Sequence, residues 1–356
     1  MEKLRVAVIG CGRIVHKSHS EAIIENREKI ECVAVCDVVE EKAKSFSSLL
    51  EKSGLKKPEI YTDYKEVLKR DDIDAVVVAT ESGKHHRITI DSLESGKHVL
   101  VEKPMALSTK HMDEMIELSR RKNLKLGVCF QNRFNPPIQE LKKKIDSGAF
   151  GEIFYGVIQI RWNRNKDYYK MAPWRGTWNM DGGVLMNQST HGIDLLQWLL
   201  GGDVESVYGV IRNFDHPYIE AEDFGTAIVK FKSGRVGIIE ATSIVYPKNL
   251  EEKLSIFGKN GTVVIGGLAV NRIEVWRFPN ENTHPYMNLP DPETVYGHGH
   301  VPLYADFYDA VENDRDPYIP GEEGRKAVDI VLGIYRSWIE NREVEFPFEF
   351  STCEIS

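Results

Sequence analysis

The sequence predicts an α/β fold. A parallel, doubly wound sheet comes first, followed by a strand-rich second half. Three observations carry this. Short unbroken apolar runs alternate with amphipathic stretches through the first third of the chain. A Gly10-Cys11-Gly12 turn follows the first of those runs. The second half carries strand-like segments rich in β-branched residues, separated by turn sequences.

The apolar runs are Leu4–Ile9, Cys32–Cys36, Ala75–Ala79, His98–Val101 and Leu126–Cys129. Unbroken runs of this length suit strands buried on both faces. Between them, His19–Glu28, Glu40–Glu51, Lys84–Glu94 and Thr109–Arg120 read as amphipathic helices. Strand–helix alternation implies a parallel sheet. Later strands are expected at Val204–Ile211, Phe224–Phe231, Val236–Thr242, Lys253–Phe257, Thr262–Ile265 and Arg272–Phe278, with helices near Leu303–Glu312 and Glu322–Asn341. The expected division is residues 1–125 for the wound-sheet domain and 126–356 for the strand-rich domain.

A length of 356 residues suits two domains. The net charge of -8 and pI near 5.8 argue against a general nucleic-acid or anionic-membrane surface. No apolar run approaches spanning length, and the N-terminus runs into a strand without a signal-peptide layout. The five cysteines are odd in number and form no CxxC pair, so neither a disulfide framework nor a metal site is expected. These readings point to the cytoplasm.

In the first turn, Gly10 permits a tight reversal. Gly12 lets backbone approach a pyrophosphate at a helix N-terminus, with Arg13 and Ile14 leading into that helix. Val15 replaces the third glycine of the usual fingerprint. Asp37 ends the next strand, where an acid accepts hydrogen bonds from the adenosine ribose hydroxyls. Val38 and Val39 follow where a 2′-phosphate would need an arginine, which favours NAD over NADP. Two further strands end at Thr80–His85 and at Glu102-Lys103-Pro104. Ligands of doubly wound sheets sit at such carboxyl ends, and Pro104 makes a rigid turn that directs Lys103.

Together, Gly-x-Gly, Asp37, the Thr80–His85 segment and Glu102-Lys103-Pro104 resemble the Gfo/Idh/MocA oxidoreductase family. The resemblance implies an NAD-dependent enzyme with Thr80, His85, Glu102 and Lys103 at the cofactor, and a second, α+β domain for substrate binding and oligomerisation, whose open-faced, mainly antiparallel sheet forms a homodimer or homotetramer interface. Its second motif is a helix carrying an aspartate and, four residues on, a histidine. His191 matches the histidine and Asp194 a following acid, whereas Asn187 stands in place of the aspartate and Glu81 in place of a frequent proline. The run Tyr168-Tyr169, Pro173–Trp178, Asp181-Gly182-Gly183 and Met186–His191 is similar to members that oxidise UDP-linked N-acetyl sugars or their uronates at C3. The Tyr246-Pro247 and Tyr296-Gly297-His298 segments are similar too.

Oxidising a secondary alcohol requires removal of a hydroxyl proton and transfer of a hydride. Lys103 and His191 are the candidates beside the reacting oxygen. Either His191 is the base and Lys103 the electrostatic partner, or the roles are exchanged. Arg161, Arg164, Lys166 and Arg175 are candidate partners of a diphosphate or a carboxylate. Asn187 and Gln188 offer amides to sugar hydroxyls, and Tyr168, Tyr169, Trp174 and Trp178 either line the pocket or pack. Gly182-Gly183 reads equally as an anion site or as a tight turn. Two other readings stay open: a free polyol or hexose as substrate, and a non-catalytic sensor of NAD and sugar.

Overall fold

The computed structural model describes residues 3–287, 289–290 and 297–355. The chain divides into two compact units. The first takes Met1–Ala106, Lys110–Gln131 and His298–Arg325; the second takes Leu107–Thr109, Asn132–Gly297 and Lys326–Ser356. Segment His298–Arg325 therefore returns to the first unit, where the sequence reading drew a single boundary at 125/126.

The first unit holds strands β1 (Leu4–Ile9), β2 (Ile30–Cys36), β3 (Glu59–Tyr61), β4 (Ala75–Val78), β5 (His98–Val101) and β6 (Leu126–Val128). All pair in parallel, in the order β3-β2-β1-β4-β5-β6. The order reverses between β1 and β4, the place where such sheets open a ligand crevice. Every residue of β4 is buried, as its Ala-Val-Val-Val sequence requires of a central parallel strand. β3 and the short helix α3 (Tyr64–Leu68) escaped the sequence reading, because an exposed Glu59 and half-buried Ile60 and Tyr61 make no apolar run.

The chain after β1 is less regular than expected. A π turn at Val15–His19 precedes helix α1 (Ser20–Glu25). α1 stops at Asn26, whose side-chain amide donates back to the Ala22 carbonyl at 2.8 Å. That amide also donates at 3.0 Å to the carbonyl of Val301, in helix α9 (His300–Glu312). This bond helps dock the late helix onto the first unit. Helices α2 (Glu40–Lys52), α4 (Ser82–Glu94) and α5 (Thr109–Arg121) fall close to their expected positions.

The second unit carries strands β7 (Ile153–Arg161), β8 (Val204–Arg212), β9 (Phe224–Phe231), β10 (Val236–Thr242), β11 (Glu251–Gly258), β12 (Thr262–Gly266), β13 (Arg272–Arg277) and β14 (Val344–Glu345). Their order is β13-β12-β11-β7-β10-β9-β8-β14. Only β7 and β10 pair in parallel; the other pairings are antiparallel. β7, in the middle of the sheet, was missed although Ile158 and Ile160 alternate with Gln159 and Arg161. Helix α6 (Pro136–Asp146) was missed too, despite its paired prolines at the first turn. Helices α7 (Lys166–Lys170), α8 (Thr190–Leu200) and α10 (Gly321–Glu340) complete the elements.

α8 lies on one face of this sheet, so close that a Cβ on Gly192 would stand 2.7 Å from Ile158. The opposite face is open. Tyr208, Ile228 and Ile238 are direct cross-strand neighbours there and are 43%, 49% and 36% exposed. No described helix is long and apolar enough to cross a membrane.

Candidate active site

In the first unit the cofactor candidates converge on the carboxyl edge of the sheet. Gly10 has φ +93, and a Cβ there would meet the Ala79 carbonyl oxygen at 2.5 Å. Only glycine lets the β1 turn close against the end of β4. Gly12 is the reverse case, since a Cβ there meets nothing within 4 Å. Open space beside a turn backbone is what a pyrophosphate needs. Arg13 is exposed and Ile14 half-buried just beyond it.

Asp37 braces this turn. One carboxylate oxygen accepts the Cys11 N–H and the other the Val39 N–H, each at 2.9 Å. Each oxygen keeps a lone pair for a ribose hydroxyl. Val38 and Val39 are 78% and 43% exposed beside it and present no cation. These residues fit an NAD adenosine half.

At the nicotinamide end, His85 lies between two loops. Its Nδ1 is 2.8 Å from the Pro104 carbonyl and its Nε2 3.1 Å from the Thr80 carbonyl. The ring is buried, and burial pushes its pKa down. A neutral ring has one N–H, which at Nδ1 donates to the Pro104 carbonyl, the shorter contact, so His85 holds the turn after β5 and packs against the end of β4. Lys103 stands half-buried in that turn, and its backbone N–H donates to Glu102 Oε2 at 3.1 Å. Glu102 itself is buried and accepts from His19 and His300, neither of which the sequence reading singled out. His300 lies nearly two hundred residues from Glu102, so no local pattern could have signalled it.

In the second unit a different cluster forms around the π turn at Val184–Gln188, which leads into α8. The Tyr168 hydroxyl accepts from Arg175 at 2.5 Å and from the Gln188 amide at 3.3 Å. The Arg175 guanidinium lies over the rings of Tyr168 (4.3 Å) and Trp174 (4.6 Å). Gln188 also donates to Asn187 Oδ1 at 2.9 Å, and the Asn187 amide donates to Asp181. The other Asp181 oxygen accepts the Gly176 N–H at 2.8 Å. The amide at position 187 therefore has a carboxylate partner already, and a second carboxylate there would repel it. Tyr169 is buried beside Tyr168, and burial pushes its hydroxyl pKa up. Trp178 is buried against Tyr335 and packs. His191, the second residue of α8, is 9% exposed.

Glu222 is a functional-looking group that sequence reasoning missed. It is fully enclosed and accepts from the Leu185 N–H and the Tyr335 hydroxyl, both at 2.9 Å. Its own carbonyl accepts the Val184 N–H at 3.0 Å. The backbone donors after Gly183 are thus spent inside the protein, and a Gly183 Cβ would collide with this carboxyl at 2.1 Å. Of the two readings of Gly182-Gly183, the tight turn holds and the external anion site does not.

Arg161 stands apart from the other substrate candidates. On β7 it follows the alternation that turns Ile158 and Ile160 towards α8, so it faces the open side. There it makes a two-pronged pair with Glu240 at 2.7 and 2.8 Å and reaches Glu251 at 2.8 Å. A guanidinium so committed braces β7, β10 and β11. Tyr246 is 91% exposed, and Tyr296 lies outside the described residues.

A dinucleotide turn with its ribose acid, a lysine turn braced at both flanks, and a polar cluster beside a histidine helix define a nicotinamide-dependent oxidoreductase of two-domain type. Comparison with known proteins agrees. Residues 4–130 match the pattern described as "Oxidoreductase family, NAD-binding Rossmann fold", and residues 138–264 match "GFO/IDH/MocA C-terminal domain". The chain belongs to the Gfo/Idh/MocA oxidoreductase family and is an NAD-dependent dehydrogenase acting on a sugar or polyol. It is 34% identical to the WlbA dehydrogenase of Bordetella pertussis, crystallised in complex with NADH and UDP-GlcNAcA. That similarity covers 98% of this chain and 100% of that one, with a TM-score of 0.86. It is 25% identical to myo-inositol 2-dehydrogenase of Thermotoga maritima over 96% of this chain and 98% of that protein. A third relative, scyllo-inositol 2-dehydrogenase (NAD(+)) of Bacillus subtilis, is 26% identical over 89% of each chain.

Proposed function

We propose that this enzyme oxidises C3 of a UDP-linked N-acetylhexosamine or its uronate. The observation that carries the reading is the 34% identity, over nearly the whole of both chains, to a dehydrogenase bound to UDP-GlcNAcA. The Arg175–Tyr168–Gln188–Asn187 cluster supports it, since a stacked arginine with two amides suits an anionic, hydroxyl-rich ligand. A free polyol is the second reading, favoured by the inositol dehydrogenases at 25% and 26% identity.

Bound NAD supplies the hydride acceptor. In the proposed reaction the C3 hydroxyl loses its proton to His191, the C3–H bond breaks with its electron pair, and a carbonyl forms. The Lys103 ammonium steadies the oxygen as its charge grows, an effect worth several kcal/mol where water is excluded. Gly10, Gly12, Arg13, Ile14, Asp37, Thr80, His85, Glu102 and Lys103 hold the cofactor. Tyr169, Trp174, Arg175, Asn187 and Gln188 hold the sugar nucleotide. A homo-oligomer formed through the open sheet face completes the reading, because uncovered Tyr208, Ile228 and Ile238 are costly in water.

The test is nicotinamide reduction measured against UDP-N-acetylglucosamine, its uronate, myo-inositol and free hexoses. The expected result is turnover with a UDP-sugar. Turnover confined to the free polyols overturns the reading, and binding without reduction in every case leaves a sensor.

A further inference from the structure

Glu102 is a buried carboxylate of the first unit that three nitrogens approach. Its Oε1 lies 2.9 Å from His19 Nε2 and 3.3 Å from His300 Nε2, and its Oε2 accepts the Lys103 N–H at 3.1 Å. The three side chains are buried. Burial alone would push the Glu102 pKa up, but the bonds from His19 and His300 outweigh it and hold the pKa well below the ordinary range. The group is therefore an anion and can only accept. Each histidine must then present an N–H at Nε2. The Tyr304 hydroxyl lies 2.6 Å from His19 Nδ1 on the other side of that ring. Burial pushes His300 down towards its neutral form. Its Nδ1 has no partner among the described residues, which suits a bare lone pair and would be costly for an N–H.

The contacts form one chain, Tyr304–His19–Glu102, with His300 as a second donor to the carboxylate and the Lys103 backbone as a third. We propose that His19 and His300 are positioning residues that hold Glu102 and, through it, set the direction of Lys103. The inference rests on the Lys103 role proposed above. The π turn after β1 carries His19, and the first residue of α9 is His300, so the late segment that returns to this unit takes part in aligning the turn. With His85 holding the Pro104 carbonyl, both neighbours of Lys103 are pinned. Lys103 is thereby aimed by residues that do not themselves touch a reacting atom.

The test begins on the unliganded wild-type protein. Nitrogen NMR at neutral pH is expected to show His19 and His300 both protonated at Nε2, and a bare Nε2 on either would overturn the proposal. The three side chains also bring one donor atom each within 4.8 Å of one another, so stoichiometric zinc in the purified protein, bound through those nitrogens, would overturn the proposal. Kinetics follow, with the panel member turned over fastest. His300→Leu is expected to lower kcat ~10–100-fold while NADH affinity stays within a few fold. His300→Gln, whose amide N–H replaces the lost donor, is expected to restore most of it. In a Lys103→Met background, His300→Leu should cost nothing further. Unchanged kcat in His300→Leu, or independent effects of the two substitutions, overturns the positioning role. Wild-type kcat in Lys103→Met alone removes the Lys103 reading itself, a failure visible before His300 is touched. Should His300→Leu not fold, the NMR result still decides.

Discussion

Arg133 and Asp194 form a two-pronged ion pair, at 2.8 and 2.6 Å, in which each side chain is 1% exposed. Asp194 projects from α8 three residues after His191, and the Arg133 guanidinium also lies 5.0 Å from the Trp198 ring. The pair therefore anchors the histidine helix. Removing one partner leaves a buried charge uncompensated, which costs about 3–5 kcal/mol. Asp194→Asn is expected to lose stability on that scale in denaturant unfolding. A loss below about 1 kcal/mol would show that the pair does not anchor α8.

Glu222 gives the stability a pH dependence of defined sign. Burial raises its pKa from the ordinary 4.5 to about 8. The folded chain keeps a proton that the unfolded chain releases, so this contribution falls as pH rises from about 4.5 to about 8 and is level above. The decline is on the order of 4 kcal/mol. Glu222→Gln should flatten it. Unfolding free energies at pH 5 and pH 8 for both proteins supply the comparison, in which titrations elsewhere cancel; equal declines would refute the assignment.

The two glycines of the first turn should separate stability from cofactor binding. Gly10→Ala forces a Cβ to 2.5 Å from the Ala79 carbonyl at a positive φ, and a loss of about 1–3 kcal/mol is expected. Gly12→Ala meets open space in the protein alone. Its melting temperature should stay at the wild-type value while NADH affinity falls at least ~10-fold through contact with the pyrophosphate. Unchanged NADH affinity would place the cofactor elsewhere.

Two of the arginines nominated for substrate, Arg175 and Arg161, should differ. Arg175→Met removes the cation stacked on Tyr168 and Trp174, and KM for the UDP-sugar should rise ~10-fold or more. Arg161→Met breaks pairs on the open face and should leave KM within a factor of about 2, with any effect appearing in stability. The reverse pattern would move the substrate to the other side of the sheet.

The open face offers a test by light scattering. Ile228→Lys, at the middle of the Tyr208–Ile228–Ile238 row, is expected to lower the molecular mass of the assembly. A mass equal to that of the wild type would show that copies meet elsewhere.

Much of the fold was legible because it is written in neighbouring residues. Central strands such as β4 announce themselves as unbroken apolar runs, and the Gly10–Gly12 turn, Asp37 and Glu102-Lys103-Pro104 sit in the order a wound sheet demands. The edge strand β3 carries no such signal, since exposed or half-buried residues need not be apolar. β7 was readable by alternation and was overlooked. The interleaved course of the chain, with 298–325 returning to the first unit, has no local mark at all.

The sequence by itself determined the parallel sheet and the dinucleotide turn, because both depend on side-chain type at short spacing, and it nominated Lys103 and His191 through a family resemblance. Only the tertiary structure decided what those groups touch. It set Arg161 on the open face, since a strand residue's direction follows from its register and one step reverses it. It placed Glu222 beneath the Val184–Gln188 turn and gave Glu102 the histidines at 19 and 300. Such partners are chosen by packing between segments far apart in the chain, where the cost of burying a charge is met only by donors that the fold itself brings to it.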